Sequence, residues 1–163
     1  MTHIMKRKIM LIALLACFIF TGTALAAPKP IIRADKQYFD VNTGLYVLKG
    51  NCYVEVRNRI ITCGEARVSI GTLEVWGFGG VTLTQGDITF TGDSVYIYGA
   101  QDRAKIDGGV AFSRTGLAVT ADRADFNWRS KVGVFNGNVK VTQGDTTWTA
   151  DSLTYNVETN TIL

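Results

Sequence analysis

The feature that most constrains the fold of this chain is a gapless repeat of 29 residues, first visible in its glycines. Gly50, Gly79, Gly108 and Gly137 recur at this spacing, and apolar residues keep the same spacing in several further columns. About four and a half copies fill residues 32–163. A unit of this length cannot bury its apolar side chains alone, so the repeat predicts copies stacked around a shared core.

Within each copy, apolar and polar residues alternate along the chain. The segments Val139-Lys140-Val141-Thr142 and Trp148-Thr149-Ala150-Asp151 are examples. A period of two is typical of half-buried strands. Gly86-Asp87 and Gly144-Asp145 occupy the same repeat position, and such pairs favour tight hairpins. The pattern therefore predicts two antiparallel strands per copy, about ten in all, and an all-β fold.

The recurring glycine lies inside a strand, where it indicates a bulge or a bend. A bend at the same place in alternate strands would fold the ribbon over itself, so that the apolar faces of two layers meet. The residues expected to face inward are Ile32, Phe39, Val54, Ile61, Val68, Leu83, Phe90, Ile97, Phe112, Val119, Phe126, Val141, Trp148 and Tyr155. A column of small residues has the same phase: Ala34, Cys63, Gly92, Ala121 and Ala150. Either the opposing layer fills the space beside this column, or a groove remains.

The first residues are typical of a cleaved signal peptide. A basic Lys6-Arg7-Lys8 segment precedes an apolar run, and Ala24-Leu25-Ala26 has the small-residue pattern of a cleavage site. We therefore predict a signal peptide over residues 1–26, a stiff lead-in over 27–31 that contains two prolines, and one domain over 32–163. Two alternatives are a lipoprotein signal that uses Cys17 and an uncleaved N-terminal anchor.

Charge and composition exclude several classes of function. Three of the 17 Lys and Arg lie in the predicted leader, so the remaining 14 balance the 14 Asp and Glu. A neutral domain without a basic stripe does not favour nucleic-acid binding. The single histidine, His3, also lies in the leader, which leaves the mature chain without the commonest general base and metal ligand. We expect no catalytic residues, no enzyme activity, no cofactor and no metal.

Two groups of side chains need separate interpretation. Cys52 and Cys63 are placed symmetrically about the Arg57-Asn58 turn, which would make them cross-strand neighbours on the inner face. They either form a disulfide in an oxidising compartment or remain two buried thiols. A row of aspartates repeats at one outward position: Asp35, Asp93, Asp122 and Asp151. Such a row faces water more often than it binds calcium.

One motif carries a family resemblance. Gly137-Asn138-Val139-Lys140-Val141, followed by Gln143-Gly144-Asp145 and Ala150-Asp151, resembles the OstA-like family, and degraded copies such as Gly79-Gly80-Val81 cover the whole predicted domain. That family includes the periplasmic lipopolysaccharide-bridge protein LptA and the N-terminal domain of LptD. The resemblance implies a twisted β-jellyroll, or "β-taco", that is open at both ends.

The resemblance also implies a function, which we take as an expectation. It is lipopolysaccharide transport and outer-membrane assembly in the periplasm of a Gram-negative cell envelope, with lipid A acyl chains held against the fourteen inward residues. The implied partners are lipopolysaccharide and homologous β-jellyroll domains of the inner- and outer-membrane machinery, joined by end-to-end strand pairing, with a head-to-tail homo-oligomer as a further arrangement. The alternative is a structural β-scaffold, or a fragment of a larger assembly protein, with a packed interior and no lipid.

Overall fold

The computed structural model describes residues 29–163. The predicted signal peptide and the first two residues of the lead-in therefore lie outside the described residues. Within residues 29–163, no helix is both long enough and apolar enough to cross a membrane.

The described chain is a single antiparallel sheet of eleven strands, in the order β1-β3-β4-β5-β6-β7-β8-β9-β10-β11, with β2 also paired to β3. The strands are β1 (Ile31–Arg33), β2 (Lys36–Asp40), β3 (Leu45–Val56), β4 (Arg59–Ser69), β5 (Glu74–Gln85), β6 (Ile88–Tyr98), β7 (Arg103–Arg114), β8 (Leu117–Asn127), β9 (Val132–Gln143), β10 (Thr146–Asn156) and β11 (Thr161–Ile162). One 3₁₀ turn, Gly99–Gln101, precedes β7. The predicted all-β fold class is confirmed.

The recurring glycine begins a bulge in every second long strand, as predicted. In the pairing of β3 with β4, the register shifts between Lys49 and Cys52. Gly50 and Asn51 of β3 therefore have no partner in the ladder. Both have left-handed backbones, with φ of +75° and +46°. Glycine adopts this conformation without steric cost, and asparagine tolerates it better than most residues. We call β3, β5, β7 and β9, which carry such a pair, the glycine strands.

The bulges bend the strands so that the two halves of the sheet face each other. Phe90 lies in the first half of β6 and Phe126 in the second half of β8, yet their ring centroids are 5.4 Å apart. Phe112 likewise contacts Tyr155, with centroids 5.8 Å apart. These pairs are not cross-strand partners in the ladder, so the contacts join two layers. Full burial of such a side chain stabilises the fold by about 1.5–3 kcal/mol.

The bend also brings the two sets of turns together. Arg57 lies in the turn between β3 and β4, and Asp102 in the turn before β7, at the opposite ends of the strands. Their side chains form a 2.9 Å ion pair. We call the line along which the two sets of turns meet the mouth of the jellyroll.

Candidate functional site

The apolar interior consists of two columns that run across the sheet. In the first column, residues from successive strands are ladder partners: Ile32, Val54, Ile61, Leu83, Phe90, Phe112, Val119, Val141 and Trp148. The second column contains Phe39, Tyr46, Val68, Val75, Ile97, Ala104, Phe126, Gly133, Tyr155 and Ile162. All fourteen residues expected to face inward therefore lie in these two columns.

Burial is nearly complete in the middle of the stack and falls at its ends. Eleven of the fourteen residues are buried, and Ile32 and Trp148 at the ends of the first column are half-buried. Phe39 is a correction, because its side chain is 50% exposed although we expected it to be sheltered. It is the first member of the second column, and the Tyr46 ring packs beside it with the ring centroids 5.1 Å apart. Ile162, the last member, is 39% exposed.

The space between the layers is filled in this structure. A Cβ built on Gly92, in the small-residue column, would lie 2.6 Å from a methyl carbon of Ile106. The gap bordered by Leu83, Phe90 and Phe126 has no room for a water molecule. Of the two alternatives for the small column, the structure therefore shows the filled one. Any guest between the layers would have to separate them.

The mouth is closed by a polar cluster around Asp102. One carboxylate oxygen accepts hydrogen bonds from Arg57 at 2.9 Å and from Arg59 at 3.3 Å, and the other accepts one from Arg129 at 3.3 Å. Arg59 is buried, with its guanidinium carbon 3.8 Å from the centroid of the Trp128 ring. Burial alone would raise the pKa of Asp102, but the hydrogen bond and charge of Arg59 prevail, so the pKa lies below its ordinary value.

Arg114 forms a second closure of the mouth, farther along the stack. Its guanidinium donates to the Tyr155 hydroxyl at 3.0 Å and to the carbonyl of Val157 at 2.5 Å. It also pairs with Asp87 at 2.9 Å. Arg114 lies at the end of β7, whereas Val157 follows β10, so this side chain ties the two sets of turns together.

The two cysteines lie opposite each other in the register of β3 and β4, as their spacing predicts. Both are buried free thiols, and the thiols donate to the carbonyls of Gly64 and Glu65. Burial raises the pKa of Cys63 to about 11, and the charge of the neighbouring Cys52 contributes to this rise. A disulfide in an oxidising compartment, the other alternative for this pair, stays a hypothesis.

The chemistry that this interior offers is apolar burial. Residues 29–163 contain no group of three or more His, Cys, Asp or Glu placed to hold a metal ion. The side chains of the two columns bring no nucleophile together with a base. The lipid-binding role assigned to the inward residues stays a prediction.

Sequence reasoning missed the polar closure of the mouth. Arg59 occupies the repeat position that Ile88 and Leu117 fill in other copies, so a charged residue at an inward position was the available signal. Its partner Asp102 lies 43 residues away in another copy, and no spacing rule connects them. Arg114 carried no such signal.

Comparison with known proteins supports the same architecture. Residues 31–163 match the family described as OstA-like protein. Among solved structures, the fold is similar to that of LptH, the LptA homologous periplasmic component of the conserved lipopolysaccharide transport device from Pseudomonas aeruginosa. The TM-score is 0.55 at 14% identity, and the alignment covers 60% of this chain and 75% of that chain. The curated protein sequences contain no significant match. The shared fold confirms the predicted β-jellyroll.

Proposed function

Because the chain belongs to the OstA-like family, we propose that it acts in lipopolysaccharide transport and outer-membrane assembly, as a periplasmic protein that carries acyl chains between its two layers. The signal peptide predicted over residues 1–26 would direct it to that compartment. The similar fold of LptH, a periplasmic component of the lipopolysaccharide transport device, supports this assignment.

The observation that carries the proposal is the continuous apolar interior. Two columns of mostly large apolar side chains extend through the whole stack, from Phe39 and Ile32 at one end to Ile162 and Trp148 at the other. Burying an acyl chain is favourable by about 0.8 kcal/mol per methylene, so about ten buried methylenes give about 8 kcal/mol. Interior side chains that move apart would offer such chains apolar contacts along their full length, while the polar head group stays in water.

Binding requires the layers to separate, and the mouth is where they can do so. The strands are hydrogen-bonded to their neighbours on both sides of the bend, whereas the mouth is held by side chains alone: Arg57 and Arg59 on Asp102, and Arg114 on Val157. Side-chain contacts can break without disrupting the ladder. The jellyroll would therefore open along its mouth as the acyl chains insert.

The ends of the sheet support the second part of the proposal, which is end-to-end pairing. The edge strands of the described sheet leave backbone N–H and C=O groups without ladder partners, and such an edge accepts another strand. We propose that homologous β-jellyroll domains of the inner- and outer-membrane machinery, or further copies of this chain, pair there to form a bridge.

Photo-crosslinking tests the cargo directly. A photoreactive phenylalanine analogue at Phe112 or Phe126, both buried in the interior, should capture lipopolysaccharide in cells. The matched controls are Thr120 and Lys140, which are exposed on the outer face of β8 and β9. Capture at the interior positions alone supports the proposal. Capture at none of them, with a known lipopolysaccharide-binding protein captured in parallel, contradicts it.

A second candidate function is a structural β-scaffold without cargo. The observation that favours it is the filled interior, in which Phe90 contacts the Phe112 and Phe126 rings at 4.8 and 5.4 Å. In that case the closed structure would be the working state and the mouth would never open. The same crosslinking experiment separates the two functions.

A further inference from the structure

The polar cluster at the mouth holds more positive charge than its carboxylate balances. Asp102 accepts hydrogen bonds from three arginines, Arg57, Arg59 and Arg129. Within residues 29–163, no other carboxylate pairs with any of these three side chains. The cluster lies beside the apolar interior, because the Trp128 ring borders the gap between the layers. Excess positive charge therefore sits where the interior meets water.

Two buried donors of this cluster have no acceptor in the closed structure. They are the Nε–H of Arg59 and the Nε1–H of Trp128, which make no hydrogen bond within residues 29–163. Both side chains are more than nine-tenths buried. Arginine and tryptophan side chains donate hydrogen bonds and accept none. The group that would satisfy this pair is therefore an acceptor, and the excess positive charge favours an anionic oxygen.

Arg59 binds Asp102 without using the full donor set of its guanidinium. Its Nη1 and Nη2 atoms both lie 3.3 Å from the same carboxylate oxygen, and Nε takes no part. A guanidinium binds an oxyanion more strongly through two parallel N–H···O bonds to two different oxygens. A phosphate group placed against Nε and one Nη of Arg59 would make both bonds.

Opening the mouth would divide the charges of the cluster unequally. We call the turns that follow the glycine strands, with the strand ends beside them, the first lip, and the turns that precede the glycine strands the second lip. Arg57 and Arg59 belong to the first lip. Asp102 belongs to the second lip, where its carbonyl accepts a 2.9 Å hydrogen bond from the Trp128 backbone N–H. Separation of the lips would therefore leave Arg57 and Arg59 without a counter-ion.

Arg114, the second closure of the mouth, differs in this respect. Its carboxylate partner Asp87 lies on the same lip, so their 2.9 Å ion pair would survive opening. Only its bonds to the second lip, such as that to the Val157 carbonyl, would break. Opening thus exposes unpaired positive charge at Arg57 and Arg59 and not at Arg114.

We propose that Arg57 and Arg59 bind a phosphate group of the amphiphile whose acyl chains enter the mouth, and that this phosphate replaces Asp102 as their counter-ion. This inference rests on the proposed function, because it needs acyl chains that separate the layers. A head-group phosphate lies at the boundary between acyl chains and water, which is where the Arg59 and Trp128 donors lie. The exchange keeps the two arginines neutralised in both states. A phosphorylated lipid therefore opens the mouth at lower cost than the same lipid without phosphate.

Two lipids with identical acyl chains test the site: diphosphorylated lipid A and the same lipid after enzymatic removal of its phosphates. Binding to the immobilised protein is measured by surface plasmon resonance, with each lipid in the same mild detergent. The phosphorylated lipid should bind about tenfold more tightly or better, since charge-assisted hydrogen bonds depend on its phosphate. Inorganic phosphate alone should bind far more weakly than either lipid, because it has no acyl chains to separate the layers.

Two arginine variants assign the preference to this site. Arg59→Leu and Arg57→Gln should each bring the ratio of the two dissociation constants close to one. Leu117 occupies the repeat position of Arg59 in another copy, and Arg57 is exposed in a turn, so the second variant tests the site even where the first does not fold. Arg123→Gln is the matched control, at an exposed arginine in the middle of β8, and should keep the full preference.

The outcomes separate this inference from the proposed function. Equal binding of the two lipids by the unmodified protein would overturn the phosphate site and leave acyl-chain binding standing. An unchanged ratio in both arginine variants would also overturn the site. Inorganic phosphate that binds as tightly as the phosphorylated lipid would indicate a site for the free anion and contradict the coupling to acyl chains. Binding of neither lipid would overturn both this inference and the proposed function.

Discussion

Asp102→Asn is the substitution that best tests how the mouth is held closed. It removes the charge that Arg57, Arg59 and Arg129 share. Removing one member of a buried ion pair costs about 3–5 kcal/mol. The side chain of Arg59 is 9% exposed and that of Asp102 is 17% exposed, so water solvates the unpaired arginine in part. We therefore expect a loss of about 2–3 kcal/mol in the free energy of unfolding.

Urea denaturation followed by the fluorescence of Trp128 and the other tryptophans measures this loss. Asp125→Asn is the matched control, because Asp125 pairs with Arg103 at 2.7 Å on a more exposed part of the surface. Such a pair contributes at most about 1 kcal/mol. Arg59→Leu, combined with Asp102→Asn, should restore stability, since the leucine of another copy already fits this repeat position. Equal losses for Asp102→Asn and Asp125→Asn would show that the shared carboxylate stabilises the fold no more than an exposed ion pair does.

The lowered pKa of Asp102 adds a pH dependence with a definite sign. In the folded protein the pKa lies below its ordinary value of 3.8, so the folded state favours the charged carboxylate. The resulting stabilisation is complete above that ordinary value and is lost as the pH falls through the lowered pKa. The Asp102→Asn variant should lack this part of the acid dependence, which urea titrations between neutral and strongly acidic pH would detect.

Three further predictions concern the core, a bulge and a thiol. Phe112→Ala should lower the free energy of unfolding by about 3–5 kcal/mol. Phe78→Ala, at a side chain that is 46% exposed, should lower it by less than about 1 kcal/mol. Equal losses of this free energy in urea denaturation would contradict the packed interior. Gly137→Ala should lower the melting temperature more than Gly71→Ala, because Gly137 has a φ of +80° and contacts Asp122, while a Cβ on Gly71 meets nothing within 4 Å. The pKa of Cys63 is about 11, and the thiolate is the nucleophile. Alkylation of Cys63 in the folded protein, measured by mass spectrometry, should therefore be slow at pH 8 and accelerate toward pH 11. Alkylation at pH 8 as fast as in the unfolded chain would count against the burial of Cys63.

The repeat made most of the fold predictable. The glycine column predicted the bulges, and the alternation placed Val54, Phe90 and Phe126 on the inner face, because both depend on positions that recur in every copy. Phe39 has the same phase but lies at the end of the stack. Its exposure depends on the absence of a further described strand beyond β2, which periodicity cannot reveal.

The candidate site was less predictable, because its polar parts join different copies. Arg59 and Asp102 meet only after the strands bend, and neither belongs to a repeated column of charges. The aspartate row was visible in the sequence, and so was the glycine column. The contact between them became visible only with the register, in which Asp122 lies on the bulge at Gly137.

The proposed function requires acyl chains to separate the two layers at the mouth. Spin labels on cysteines introduced at Asn58 and Gln101, both exposed beside the Arg57–Asp102 pair, measure the width of the mouth in a variant whose native cysteines are replaced. Adding lipopolysaccharide should shift the distance distribution to longer values, and adding its delipidated polysaccharide should not. An unchanged distance at saturating lipopolysaccharide would contradict an opening of the mouth by acyl chains.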